Sequence, residues 1–79
     1  MNIGFYINEM NFRGVAISTY QYALNNEKIL KNKSIIFYNK KNLNNKKEII
    51  TKFKKKFKII PVTQFNEINL YKKKFHLEY

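Results

Sequence analysis

Short, unbroken apolar runs alternate along this chain with longer stretches in which apolar residues recur every three or four positions. The first run, residues 3–7, is aromatic and β-branched, and long enough for a strand buried on both faces. Turn-forming asparagine and glycine interrupt it over residues 8–14. From Val15 to about Leu30 the period becomes helical, with Ala16, Tyr20, Ala23 and Glu27 on one face and Ile17 and Leu24 beside it. Asn32 and Lys33 read as its stop. Residues 34–38 predict a second buried strand, and the asparagine- and lysine-rich residues 39–45 a loop. Residues 46–57 predict a second helix, striped by Ile49, Ile50, Phe53 and Phe57. Residues 58–62 predict a third strand, with Pro61, which cannot donate a ladder hydrogen bond, at its end or on a sheet edge. Phe65, Ile68, Tyr71 and Phe75 mark a third helix over about residues 66–75, and residues 76–79 read as the start of a further element.

Strands alternating with helices predict an α/β fold with parallel pairing. The order β-α-β-α-β-α is half of a doubly wound domain, with a three-stranded parallel sheet in the order 3-2-1. In that arrangement the outer edge of the first strand finds no partner, and an open apolar edge invites association. The chain is therefore expected to be a piece of a larger assembly or to self-associate through that edge.

At 79 residues there is room for one domain at most. Without cysteine, and with His76 as its single histidine, the chain cannot build a thiolate or multi-histidine metal site. No apolar run approaches the ~18 residues a transmembrane helix needs. The opening residues lack the basic region and long apolar core of a secretory signal, so a cytoplasmic protein is expected.

The formal net charge is +11, from 16 basic and 5 acidic residues. A small basic module attaching to nucleic acid or anionic surfaces is thus one reading. Composition argues for another source of the charge. Arg13 is the only arginine, aspartate is absent, and lysine, asparagine and isoleucine, all with A/T-rich codons, dominate. Nucleic-acid sites favour arginine, whose planar fork matches phosphates and guanine edges. Lys54, Lys55 and Lys56, and likewise Lys72, Lys73 and Lys74, fit a solvated helix face flanked by core phenylalanines.

In open parallel sheets ligands bind beyond the carboxyl ends of the strands. The first such loop is residues 8–14, which leads into a helix amino terminus where free N–H groups attract anions. Gly14 would admit a ligand close to the backbone, and Arg13 would add a charge with bidentate reach. Against this, Gly14 could serve only a tight turn and Arg13 could be a solvated loop charge. Glu9 could act as a base, but a lone carboxylate equally serves as a loop cap. His76, near the chain end, fits a surface or capping role. The G-x-G-x-x-G dinucleotide fingerprint and the Walker A loop are both absent.

Residues 3–14, with their Asn8-Glu9 and Arg13-Gly14 pairs, resemble the amino-terminal start of bacterial group 1 glycosyltransferases of the GT-B fold. Residues 18–23, 26–36 and 53–59 continue the resemblance along the chain. It implies two Rossmann-like domains facing across a cleft, moving a sugar from a nucleotide-sugar donor to an acceptor. Residues 1–79 would be part of the amino-terminal, acceptor-side domain, with no second domain and no turnover alone. Asn8, Glu9, Arg13 and Gly14 would form its phosphate-facing loop, easing departure of a nucleotide diphosphate without a bound metal or other cofactor. The nucleotide-sugar donor is implied only for a full-length enzyme, and the donor domain is the implied partner. Val15 and Ala16 depart from the small or polar residue and glutamate that often follow this glycine in related loops, which implies weakened ligand contact.

Overall fold

The computed structural model describes residues 2–12, 14–75 and 77–78, with the backbone alone for residues 65, 72–75 and 77–78. In chain order the elements are β1 (Asn2–Ile7), α1 (Gly14–Lys28), β2 (Lys33–Asn39), α2 (Lys47–Lys56) and β3 (Lys58–Val62). A 3-10 turn (Phe65–Glu67) then leads into α3 (Ile68–Phe75), and β4 (Leu77–Glu78) follows. The strands form one parallel sheet in the order β3-β2-β1-β4. Register runs from Asn2 opposite Lys33 to Ile7 opposite Tyr38, and from Ile35 opposite Lys58 to Asn39 opposite Val62. The expected half of a doubly wound α/β domain, with β1, β2 and β3 in the order 3-2-1, is what the chain forms.

One expectation is corrected. The outer edge of β1 is open only in part, because β4 pairs with Asn2 and Ile3, whereas no strand among the described residues pairs with residues 4–7 on that side. The cause lies in which face each helix covers. Ile7, Met10 and Ile36 pack with Ala16, Tyr20 and Ala23 of α1 and Ile49 and Phe53 of α2, so both helices lie on one face. Ile35, Phe37 and Val62 pack with Ile68 of α3 on the other face, with Tyr6 and Tyr71 beside them. Changing faces after β3 lets the chain return along the far side of β1. Strand β2 shows the demand most plainly, since Ser34, Ile35, Ile36 and Phe37 are buried in succession.

Aromatic contacts fasten α1 to α2. Tyr20 meets Phe53 edge-on at a ring-centroid distance of 5.1 Å and Phe57 at 5.5 Å, while the Lys52 ammonium lies 4.6 Å above its ring. On the opposite face Phe37 and Tyr71 sit 5.6 Å apart. Ile17, expected beside the core, is instead exposed.

A polar knot ends α1. Lys31 adopts the left-handed conformation at φ 61°, and the Asn32 N–H donates to the Asn26 carbonyl at 3.0 Å. The buried Asn26 amide donates to Ser34 Oγ at 3.0 Å, and that hydroxyl donates to the Ala23 carbonyl at 3.1 Å. Glu27 turns its carboxylate to the Ser34 N–H at 2.8 Å. The amino end of β2 is thereby hydrogen-bonded to the last turns of α1. At the start of α3, the Thr63 N–H and hydroxyl both donate to the Glu67 carboxylate, each at 2.6 Å. These bonds hold the Glu67 pKa below its usual 4.5, with Lys40 adding a favourable charge.

Phe53→Ala should cost about 3–5 kcal/mol, most of the stability of a domain this small, and a urea melt followed by circular dichroism should show it largely unfolded in buffer. Because the Glu67 pKa is lowered by folding, its contribution is present above the unfolded pKa and lost as pH falls through the folded value. Melting temperatures measured across pH 3–6 should therefore fall less steeply on acidification for Glu67→Gln than for the parent.

Candidate functional site

Beyond the carboxyl ends of β1 and β2, two loops are hydrogen-bonded to each other through asparagine side chains. The Met10 N–H donates to Asn45 Oδ1 at 2.8 Å, while Asn45 Nδ2 donates to the Asn39 carbonyl at 2.8 Å. One amide therefore satisfies a donor from the first loop and an acceptor at the end of β2. The Lys46 N–H returns a bond to the Met10 carbonyl at 2.6 Å, and Asn39 Nδ2 donates to Asn8 Oδ1 at 3.0 Å. Met10 is fully buried beneath this junction. Asparagine suits the task because its side chain offers a donor and an acceptor to backbone groups that no ladder serves.

Glu9 is the hub of the outer surface. Its Oε2 accepts from Asn11 Nδ2 at 2.9 Å and its Oε1 from Asn44 Nδ2 at 3.2 Å. Two shallow clefts open on either side of it. One, of about 290 Å³, is lined by Glu9, Asn11, Phe12, Asn44 and Lys46. The other, of about 350 Å³, is lined by Asn8, Glu9, Asn11, Gly14 and Val15 at the start of α1. Phe12 stands at the first cleft with 63% of its surface exposed, an aromatic face beside amide, carboxylate and ammonium groups. An exposed ring next to such groups can stack on the apolar face of a sugar or base while the polar groups meet its hydroxyls.

The expected site residues are thus partly assembled. Asn8, Glu9 and Gly14 line the same cleft, whereas Arg13 lies outside the described residues, as does His76. Glu9 is bonded through both oxygens, which fits an anchor for the loops better than a free base. Gly14 does not have a positive φ, and a methyl group added there would meet nothing within 4 Å. Neither backbone strain nor a protein neighbour demands glycine, so its missing side chain matters only to the cleft it borders. Phe12, Asn44, Asn45 and Lys46 were not among the expected residues. The asparagine run over residues 39–45 was the available signal, but its composition indicated only a loop.

The strand order adds the decisive geometry. β2 and β3 lie to one side of β1 and β4 to the other, with α1 and α2 on one face and α3 on the opposite one. The loop after β1 therefore sits where the winding reverses, the place at which open parallel sheets receive ligands. Set against protein-family models, curated proteins and solved structures, the chain matches none.

Asn45→Ala should strand the Met10 N–H, while the Asn39 carbonyl keeps its bond from the Asn42 N–H at 3.2 Å, costing about 1–3 kcal/mol. Hydrogen exchange at the Met10 and Lys46 amides should accelerate in the variant; unchanged exchange there would show that the junction does not depend on this side chain.

Proposed function

We propose that the chain is a glycosyltransferase-related module that supplies acceptor-side surface and a phosphate-facing loop for transfer from a nucleotide-sugar donor. The observation that carries this reading is the position of the clefted loop at the winding reversal of the sheet. Chemistry adds to it. The cleft with Phe12, Asn11, Asn44 and Lys46 suits a hydroxylated ring, and the cleft at Gly14 suits a diphosphate approaching the first N–H groups of α1. The resemblance of residues 3–14 to the GT-B opening loop points the same way and assigns Arg13 to the phosphate. In this reading Asn8 and Glu9 shape the loop, Gly14 leaves room for the ligand, and Arg13 offsets its charge.

Glu9 is the single carboxylate among the described residues lining the two clefts, and both its oxygens are engaged. The chain on its own is accordingly a binding element, and sugar transfer by the purified chain is not expected.

The test is a titration of isotopically labelled protein with UDP-glucose and with methyl glucoside, followed by amide shifts. Changes should concentrate in residues 8–14 and 44–46. Gly14→Ala should leave the fold intact and weaken UDP-glucose by about tenfold or more, roughly 1.4 kcal/mol. Absence of shifts in both loops at millimolar ligand would refute the proposal. Salt-sensitive DNA binding mapped to the lysines of α2 would favour the basic-module reading instead.

A further inference from the structure

A strand inside a parallel sheet uses its backbone on both sides, successive residues bonding alternately to the neighbour on either hand. β1 meets that demand along its whole length only toward β2, where every residue from Asn2 to Ile7 has a partner. On the other side β4 covers Asn2 and Ile3, and no strand among the described residues faces residues 4–7. The uncovered stretch is ~13 Å long, at about 3.3 Å per residue. It carries none of the lysines, prolines or other charges that blunt a solvent-facing edge, since its sequence is Gly4-Phe5-Tyr6-Ile7. Its two faces are apolar as well. Phe5 packs toward α1 and α2 and Tyr6 toward α3, and each is only half-buried.

Backbone geometry identifies the occupant. The open edge of a ladder is matched by another extended backbone, whose alternate side chains then fall on the two faces of the sheet. What those side chains would meet sets their chemistry. Leu24 and Lys28 of α1 line the cleft toward Lys56 of α2, so Tyr22 and Ile29 lie on the opposite flank, where with Phe5 they border apolar space. On the other face the neighbours are Tyr6 and Tyr71. An added strand is thus apolar on both sides, as β1 and β2 are. A second copy does not fit. Antiparallel pairing of two copies over residues 4–7 would drive β4 of each into Asn8 and Glu9 of the other, and each copy brings a charge of +11. We infer that residues 4–7 of β1 take up an extended segment of about four residues, apolar on both faces and supplied by a second polypeptide, which prolongs the line of β4. This edge shares no residue with the two clefts at the strand ends, so it can be tested independently of any ligand there.

The probe is a peptide of alternating valine and isoleucine, four residues long and flanked by glutamates for solubility. Its control is the same peptide N-methylated at the four apolar residues, which keeps the side chains and removes the backbone donors. In the free protein, those amides of residues 4–7 that point away from β2 should exchange rapidly with solvent. The probe should slow them by at least about tenfold, and the N-methylated control should bind at least about tenfold more weakly. The inference fails if residues 4–7 are all protected in the free protein, if the probe leaves their exchange unchanged, if both peptides bind alike, or if the protein alone dimerises through this edge.

Discussion

The structure depends on one constraint: β1 and β2 are apolar on both sides and must be covered on both. Ile7 and Ile36 need α1 and α2 above them, and Ile35 and Phe37 need α3 below. A parallel connection must cross the sheet outside its plane, so the chain has to place successive helices, and here it divides them between faces. That division brings β4 to the far edge of β1 and makes the loop after β1 the point from which the winding departs in two directions. Packing on the two faces and the position of the clefts are thus consequences of the same requirement.

Polar side chains complete the backbone where the strands end. At the amino end of β2, Asn26, Asn32, Glu27 and Ser34 join it to α1; at the carboxyl end, Asn39 and Asn45 join it to the loop after β1. Buried backbone groups left without partners are costly, and a short domain has little hydrophobic burial with which to offset them. The asparagine-rich composition therefore has structural consequences whatever its genomic origin. It stitches residues 35 positions apart in sequence, Met10 and Asn45, into one surface. The lysines have a different distribution. Those of α2 stay in solvent, and the Lys52 ammonium lies over the Tyr20 ring.

Much of the fold was legible because periodicity reports burial directly. Alternating short runs and helical stripes set the element order, and the stripe Ile49, Phe53 and Phe57 is buried as its spacing requires. The loop after β1 could be located because element order alone puts it at the strand ends where ligands bind. Its partners could not. Phe12 and Lys46 become cleft residues only when the second loop closes on the first, and that contact depends on side-chain amides whose targets are distant in sequence.

Sequence pattern by itself determined the α/β class, the order of strands and helices and the parallel order β3-β2-β1, because period and connection length depend on local residue types. Tertiary structure alone decided that β4 pairs with β1, that Glu9 is held by two asparagines, and that Val15, Tyr22 and Ile29 remain in water. Each of these rests on which face a helix covers or which loops meet. Such facts belong to the packed arrangement, since an apolar residue on a helix is core or solvent-exposed according to what lies opposite it.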